Sequence, residues 1–346
     1  KDGAHFSREF IIMLLAIFLG IIAALFLSYF DYQVYTKFWP VIAVFCVIIM
    51  LVLFKWGTGP SSRPDARTWL SIGPINFQPS ELVKIGFIIT FGVHLDKVKE
   101  KINNIFSILQ LGAHAAVPIV LVAATGDMGS ALVFMVIAIV MMFVAGVHWG
   151  YFLGGIALVG AATPLIWTYV LKQLQKDRFL ALIYPDLYPD IIYQQQRGLN
   201  AIGAGGITGQ GLFKGAYTQA GAVPESQNDM IFSVVGEELG FIGCITALLL
   251  IVLITVRIIY VGKKSSEQST NLICTGMAAM IIGQMIINVG MCLMLLPVIG
   301  ITLPFFSAGG SSNLCVYLGI GIVMSIYRHN CDTGAVNIRV YDSLKK

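Results

Sequence analysis

Long apolar runs alternate with short polar segments along almost the entire chain. The first run, residues 10–30, has 21 residues and no charged side chain, a length of about 31 Å if it forms an α-helix. That length matches the hydrocarbon thickness of a bilayer. Nine runs are present in all: 10–30, 38–54, 82–95, 105–125, 128–146, 149–171, 230–260, 272–298 and 314–327. The third reaches spanning length only if its helix begins near Gln78. The pattern predicts an all-α polytopic membrane protein with about nine transmembrane helices.

The composition agrees with this fold class and excludes others. Of the 346 residues, 57% are hydrophobic and only 12% are charged, whereas soluble domains carry roughly 25% charged residues. So few charges cannot cover a water-facing surface, which excludes a soluble enzyme, a disordered chain and a nucleic-acid-binding protein. The histidines and cysteines show no metal-ligand spacing, so no metal site built from them is expected.

The distribution of Lys and Arg predicts the orientation in the membrane. Short loops and helix ends on one side carry 11 of these residues, and those on the other side carry 6. Because short cytoplasmic loops are enriched in positive charge, we expect the C-terminus and the tail 331–346 in the cytoplasm. The one large loop, 172–230, then lies outside. We expect residues 1–346 to form a single membrane domain.

Ionisable side chains at membrane depth are costly, and by default they mark function. Glu81 and Lys84 open the third run at an i, i+3 spacing, so the two charges share a helix face and can neutralise each other. This pair either belongs to a site or is purely structural. Asp127 lies between two apolar runs, where it either belongs to a site or caps the following helix.

A second group of acidic residues lies at the start of the seventh run. Four residues fall at helical spacing and predict one polar stripe on an apolar helix: Asp229, Ser233, Glu237 and Gly240. Asp229 is either a catalytic carboxylate or a helix N-cap. Glu237 and the adjacent Glu238 either contact substrate or pair with neighbouring helices.

Two glycine-rich segments interrupt the apolar pattern and offer polar backbone groups in addition to the ionisable side chains. In the large loop, residues 193–206 are predicted to form an amphipathic segment that runs into a glycine turn. Residues 208–211 and 214–215 continue this glycine-rich segment. Such backbone beside Arg197 and Lys214 either cradles phosphate oxygens or forms flexible turns. The second break, 304–313, carries four small polar side chains, which either bind hydroxyl groups or satisfy backbone groups.

Together, these features predict a membrane cavity that is open to the outside and lined by carboxylates, a few cations and polar glycine loops. Two functional classes fit such a cavity. One is an enzyme that acts on a lipid-linked polar substrate, and the other is a transporter of such a substrate.

Seven groups of residues form an ordered set of motifs that spans nearly the whole chain: 67–69, 78–84, 126–127 with 129–132, 193–194 with 201–203, 224–232, 236–243, and 303–305 with 307 and 309–312. As a set they resemble the SEDS family (shape, elongation, division and sporulation), whose members include RodA, FtsW and SpoVE. Single pieces are weak signals, whereas the ordered set is highly specific. The RodA-like members are the most similar.

The resemblance implies a peptidoglycan glycosyltransferase that polymerises lipid II at the outer face of the cytoplasmic membrane, for cell elongation and shape or for division. Family members usually have ten helices with both ends cytoplasmic. The first run here resembles the family's second, so the first helix either precedes Lys1 or is absent. Members pair with a class B penicillin-binding protein, a transpeptidase, and such a partner is expected here.

The resemblance also implies roles for individual residues. By this likeness Asp229 is the catalytic base, and Glu81 and Lys84 position it or balance its charge. The cations expected to steady the departing pyrophosphate are Arg67, Arg197 and Lys214. Mg²⁺ or Mn²⁺ is a candidate to share that task, although the sequence shows no dedicated metal cage. The other residues expected to bind substrate or support the site are Asp127, Gln194, Glu225, Glu237, Ser311 and Ser312.

Two rival functions stay open. A lipid II flippase needs the same cavity and lipid but should tolerate the loss of a catalytic base. A scaffold that only recruits division proteins should tolerate the loss of both Asp229 and Glu81.

Overall fold

A computed structural model of the chain describes residues 8–59, 66–73 and 75–343. These residues form thirteen α-helices and one two-stranded sheet. In chain order the helices are α1 (Arg8–Tyr29), α2 (Tyr32–Lys37), α3 (Trp39–Trp56), α4 (Pro79–Lys97), α5 (Ile105–Ala124), α6 (Met128–Val144), α7 (Trp149–Leu165), α8 (Gln173–Ile183), α9 (Pro189–Gly205), α10 (Ala216–Gln219), α11 (Ile231–Lys264), α12 (Gln268–Cys292) and α13 (Gly310–Ser343). Strands β1 (Leu70–Ile72) and β2 (Ile75–Phe77) pair antiparallel, with Leu70 opposite Phe77.

Each of the nine predicted runs lies mainly within one helix. Within the described residues, seven helices are long and apolar enough to cross a membrane, namely α1, α3, α5, α7 with the π-helix Ile166–Val170, α11, α12 and α13. The eighth, α6, is apolar but has 17 residues. The ninth, α4, has 19 residues and carries Glu81 and Lys84 in its first two turns. The predicted all-α polytopic membrane fold is confirmed.

Two helices end before their apolar runs do. The run 272–298 was expected to be helical throughout, but α12 stops at Cys292, and the N–H groups of Leu295 and Leu296 both donate to the carbonyl of Gly290. Met294, two residues after the end of α12, adopts a φ of 57° and so leaves the right-handed helical region, and Pro297 disfavours helical backbone at the residue before it. Likewise α6 ends at Val144, and Gly146 follows it with a φ of 94° that glycine adopts without strain.

The predicted large loop, 172–230, contains helices α8, α9 and α10. The amphipathic segment expected at 193–206 is confirmed, because α9 buries Ile192, Gly198 and Ala201 along one face and is followed by Gly206, where φ is 56°. The location of this segment outside the membrane stays a prediction. The segment 331–346, expected to be a tail, continues α13 as far as Ser343.

By its internal contacts the chain divides into two compact units. The first unit comprises Lys1–Ala145, Val252–Gly283 and Ala308–Lys346, and the second comprises Gly146–Ile251 and Gln284–Ser307. In the first unit, α1 packs along α13, α3 packs on α4, and α5 packs on α6. Helix α4 is the core of this unit, and most of its side chains are buried. In the second unit, α8 and α10 pack on α9.

Candidate functional site

Glu81 and Lys84 form the ion pair that their spacing predicts. Lys84 Nζ lies 2.7 Å from Glu81 Oε1, and their side chains are 0% and 6% exposed. Pro79 opens α4, a position where its missing N–H group would have no helical partner. The helix then brings Glu81 and Lys84 to one face. Because a buried charge is tolerated only when it is paired, the two residues depend on each other in the core of the first unit.

Asp127 caps α6 and also holds the beginning of α4. Its Oδ1 accepts a hydrogen bond from the backbone N–H of Ser130 at 3.0 Å. Its Oδ2 accepts from Gln78 Nε2 at 2.8 Å and from Ser80 Oγ at 3.1 Å. The N-cap interpretation of Asp127 is confirmed. One buried carboxylate therefore connects two helices of the first unit, with its charge at a favourable helix N-terminus.

Ser311 brings the start of α13 to the same place. Its Oγ accepts from the backbone N–H of Gln78 at 3.1 Å and donates to the carbonyl of Asn76 at 3.4 Å. The adjacent Ser312 is also buried. For Ser311, the predicted alternative of satisfying backbone groups is therefore confirmed. The candidates that gather around the first two turns of α4 are Glu81, Lys84, Asp127 and Ser311.

Replacing Asp127 with alanine is expected to lower the stability by about 2 kcal/mol or more, because a helix cap and the acceptor of two further bonds are lost together. Asp127→Asn keeps an oxygen for the N–H of Ser130 and should lose about half as much. Thermal unfolding of the purified protein in detergent measures both changes.

The control for Asp127 is Asp96→Ala. Asp96 pairs with Lys99 at 3.0 Å, but both side chains are partly exposed, so this loss should stay within about 1 kcal/mol. Equal melting temperatures for Asp127→Ala and Asp96→Ala would contradict the role given to Asp127.

Asp229 lies in the second unit, in the turns that precede α11. The helix begins at Ile231, and the side chain of Asp229 is half-buried. Residues before α11 are held in a turn because the carbonyl of Glu225 accepts from the N–H groups of Asn228 and Met230. The predicted polar stripe is therefore wrong for Asp229. It is also wrong for Gly240, whose φ of 67° and ψ of −165° break the helix.

Glu225 is exposed and adopts a φ of 52°, in the left-handed region. Its Oε2 accepts a hydrogen bond from Asn228 Nδ2 at 2.9 Å. The side chain and the carbonyl of Glu225 thus both accept hydrogen bonds within the turn that carries Asp229.

Glu237 contacts a neighbouring helix, as one interpretation predicted, but the contact is with backbone N–H groups at the start of α10. Its Oε1 accepts from the N–H of Tyr217 at 2.6 Å. Its Oε2 accepts from the N–H of Thr218 at 3.0 Å and from Thr218 Oγ1 at 2.5 Å. Glu238 Oε2 accepts from the N–H of Phe213 at 2.9 Å. The two carboxylates therefore anchor the glycine-rich segment to α11.

The backbone of this segment also pairs with the break in α11. The N–H groups of Gln210 and Gly211 donate to the carbonyls of Glu237 and Glu238, and the N–H group of Phe241 donates to the carbonyl of Gly206. These bonds satisfy groups that the break would otherwise leave without partners. Because the N–H groups of Gln210 and Gly211 are already engaged, the phosphate-cradle interpretation is wrong for these two residues.

The predicted cations differ in their surroundings. The guanidinium of Arg197 in α9 lies 5.1 Å from the ring centroid of Tyr193, a stabilising cation–π geometry, and its side chain is half-buried. Lys214 is exposed in the second unit. Arg67 is exposed in the first unit, and its backbone N–H donates to the carbonyl of Thr125 at 2.8 Å.

Gln194 is half-buried, and its Nε2 atom is buried with no hydrogen-bond partner in the part of the chain that the structure describes. The neighbouring Gln195, which was not predicted, is 2% exposed and donates to the carbonyls of Met291 and Leu296, both at 2.8 Å. Gln195 therefore joins α9 to the end of α12.

Asn288 is a second residue that the sequence reasoning missed. It is fully buried in α12, and its Nδ2 donates to the carbonyls of Asp229 at 2.8 Å and Ile301 at 2.7 Å. The available signal was an amide side chain within the apolar run 272–298, because polar side chains in such helices seek partners in other segments.

No group of three or more His, Cys, Asp or Glu side chains that could hold a metal ion occurs in residues 8–59, 66–73 and 75–343.

Glu237→Gln is expected to loosen the segment around α10. An amide offers one oxygen in place of two, so an N–H group that now meets a carboxylate oxygen would face an NH₂ group. A lost bond to a charged acceptor corresponds to roughly 10- to 100-fold faster exchange of the backbone amides concerned. Hydrogen exchange read by mass spectrometry on peptides covering 206–219 measures this.

Glu238→Gln is the matched comparison, because within the described residues the Glu238 carboxylate accepts a single backbone bond, from Phe213. Its effect should be smaller and confined to residues near 213. Unchanged exchange at Tyr217 and Thr218 in Glu237→Gln would show that Glu237 does not anchor this segment.

The sequence of this chain matches a known protein family. The sequence model of the FtsW, RodA and SpoVE cell cycle proteins matches residues 2–332. The peptidoglycan glycosyltransferase MrdB of Escherichia coli (strain K12) is 28% identical over 314 residues, which are 90% of this chain and 83% of that protein. The probable peptidoglycan glycosyltransferase FtsW of Geobacter sp. (strain M18) is 31% identical over 332 residues, which are 94% of this chain and 87% of that protein.

Solved structures show the same architecture. A chain from a peptidoglycan synthase complex that coordinates polymerization and crosslinking matches with a TM-score of 0.80 and 26% identity, covering 93% of this chain and 90% of that one. The rod shape determining protein RodA of Thermus thermophilus matches with a TM-score of 0.70 and 24% identity, covering 94% and 90%, and shows the shared fold. The match over 2–332 and the order of the motifs agree, and this chain belongs to the FtsW, RodA and SpoVE family of cell cycle proteins.

Proposed function

We propose that this chain polymerises lipid II into glycan strands at the outer face of the cytoplasmic membrane, in a RodA-like role in cell elongation. It is a peptidoglycan glycosyltransferase, the activity by which its MrdB and FtsW relatives are named. The observation that carries the finer proposal is the position of Asp229. Its carboxylate is half-buried at the end of a polar turn, directly before an apolar helix long enough to cross the membrane.

The reaction joins the 4-hydroxyl of an acceptor N-acetylglucosamine to the anomeric carbon of a lipid-linked N-acetylmuramic acid. The new oxygen–carbon bond forms as the bond from that carbon to the pyrophosphate oxygen breaks, and undecaprenyl pyrophosphate leaves with the electron pair. A sugar hydroxyl is a weak nucleophile, so a carboxylate within hydrogen-bond reach should take its proton in the transition state. In this proposal the acceptor of that proton is Asp229.

The other acidic residues of the motifs are engaged in holding the structure. Glu81 pairs with Lys84, Asp127 caps α6, and Glu237 anchors the start of α10. These contacts give the three carboxylates structural roles, and the proposed assignment of the base to Asp229 follows from the family motif 224–232. A second role of the Glu81–Lys84 pair, in positioning Asp229 or balancing its charge, stays a prediction.

Departing pyrophosphate carries negative charge that cations stabilise. The proposed cations are Arg67, Arg197 and Lys214. Mg²⁺ or Mn²⁺ stays part of the proposal as an ion that the pyrophosphate oxygens themselves would hold, since Mg²⁺ commonly binds substrate phosphates with few protein ligands.

The proposal includes a membrane topology and a partner. We propose that the segment 172–230 faces the outside, where lipid II is polymerised, and that the C-terminus is cytoplasmic. The excess of Lys and Arg on the predicted cytoplasmic side supports this topology. A class B penicillin-binding protein is the proposed partner. The likeness to a chain of a synthase complex that coordinates polymerization and crosslinking supports it.

A polymerisation assay separates this function from lipid transport. The purified chain and its penicillin-binding partner are supplied with lipid II, and the products are analysed for glycan strands. Polymer is the expected result. Absence of polymer from the wild-type complex, together with movement of lipid II across vesicle membranes, would favour the flippase instead.

A further inference from the structure

Two buried side chains hold consecutive carbonyl groups in the turn that carries Asp229. Asn288 Nδ2 donates to the carbonyl of Asp229 at 2.8 Å. Ser307 Oγ donates to the carbonyl of the preceding residue, Asn228, at 2.8 Å. Both donors approach the main chain of the turn, and all of these residues belong to the second unit.

The two donors are themselves fixed in place. Asn288 is 0% exposed, and its Nδ2 also donates to the carbonyl of Ile301 at 2.7 Å, so both hydrogens of the amide are used. Ser307 is 1% exposed, and its Oγ accepts from the N–H of Leu303 at 2.8 Å. The turn is therefore attached to α12 and to the segment between α12 and α13 at defined positions.

We propose that Asn288, assisted by Ser307, is a positioning residue for the glycosyl transfer. Neither side chain is assigned a contact with substrate. By holding the main chain at Asn228 and Asp229, they fix the point from which the Asp229 carboxylate reaches the attacking hydroxyl. This inference rests on the proposed function, in which Asp229 is the base.

Proton transfer depends strongly on the position of the Asp229 carboxylate. A general base must lie within about 2.6–3.2 Å of the proton-bearing atom, and a displacement of about 1 Å can reduce a rate roughly 100-fold. Removing the amide of Asn288 takes the Nδ2 donor away from two carbonyls and leaves the carbonyl of Asp229 with the longer contact from Cys292 Sγ, at 3.7 Å. The turn must then move to find other partners, and the carboxylate moves with it.

The test compares Asn288→Leu with Gln284→Leu in the polymerisation assay. Gln284 lies one helical turn earlier in α12, is equally buried, and its amide atoms have no hydrogen-bond partner in the described part of the chain. We expect Asn288→Leu to lower kcat roughly 10- to 100-fold with little change in the KM for lipid II. Gln284→Leu should keep the wild-type kcat.

Ser307→Ala supplies a second variant that removes a single oxygen atom and is expected to lower kcat about 10-fold. The melting temperature in detergent shows that each variant is folded, so the test can be read from Ser307→Ala if Asn288→Leu fails to fold. A wild-type kcat in either folded variant would overturn the inference. The inference would also be overturned if a variant yielded less folded protein but each folded molecule kept the wild-type kcat. That result indicates a purely structural role.

Asp229→Ala, assayed in parallel, separates this inference from the proposed function. Full activity of Asp229→Ala would overturn both. An inactive Asp229→Ala beside a fully active, folded Asn288→Leu would overturn only the positioning role.

Discussion

Replacing Asp229 with alanine is expected to abolish glycan polymerisation while lipid II still binds. A positioned general base contributes about 10²- to 10⁴-fold to a rate, so the variant should lose at least about 100-fold in kcat. The side chain is half-buried at the start of α11 and lies outside the helix, so its truncation should leave the fold intact. Gel analysis of glycan strands measures polymerisation, and binding of labelled lipid II to the detergent-solubilised complex measures affinity.

The matched control is Asp186→Ala. Asp186 is an exposed carboxylate of the second unit, between α8 and α9, and it has no role in the proposed site. Its loss should leave polymerisation unchanged. Polymer from Asp229→Ala at the wild-type rate would remove Asp229 from the role of base. The flippase would be supported by two results together: the wild-type protein makes no polymer, and the Asp229→Ala variant still moves lipid II across the membrane.

Lys84→Met is expected to produce the largest loss of stability, about 3–5 kcal/mol, because it leaves the Glu81 carboxylate buried without a partner charge. The Lys84 side chain is 0% exposed and that of Glu81 is 6% exposed, so water cannot compensate. Thermal unfolding in detergent measures the change. The partly exposed Lys99 is the control, since Lys99→Met breaks a surface pair with Asp96 and should cost no more than about 1 kcal/mol.

The double variant Glu81→Gln with Lys84→Met decides between the two interpretations of this pair. Removing both charges should recover most of the lost stability, since a buried pair is often neutral when replaced as a whole. If polymerisation recovers along with stability, the pair is structural. If stability recovers and polymerisation does not, the charges act in the reaction. A Lys84→Met protein as stable as Lys99→Met would contradict the dependence of Glu81 on its partner.

The part of the fold that could be predicted from the sequence is the part set by the length of the apolar runs. The nine runs located nine helices because burial in lipid requires long apolar segments with satisfied backbone groups. The ends of the helices were less accurate. Hydropathy does not change at Cys292 although the helix ends there, and the position of Pro297 was the better signal. Helices α8 and α10 within 172–230 were missed because they are short, with 11 and 4 residues, whereas the amphipathic α9 was found from its pattern.

The site could be predicted only where the interaction is local in sequence. The i, i+3 spacing of Glu81 and Lys84 and the cap at Asp127 follow from helix geometry alone. The contacts of Glu237 with α10, and of Asn288 with the carbonyl of Asp229, join segments distant in the chain and depend on tertiary packing. The helical stripe through Asp229 failed for a further reason. Its spacing assumed an unbroken helix, and a turn at Glu225 and a glycine break at 240 interrupt it.

The break at Gly240 has a consequence for how the chain enters the membrane. The part of α11 after the break, 241–264, has 24 residues, about 36 Å of helix, which is enough to span a bilayer without the nine residues before it. Insertion can therefore proceed on the apolar part alone, before Glu237 and Glu238 have found their partners. The acidic part gains its hydrogen bonds only when the segment 206–218, made earlier during synthesis, folds back onto it. Variants that weaken 206–218 are therefore expected to yield inserted but inactive protein.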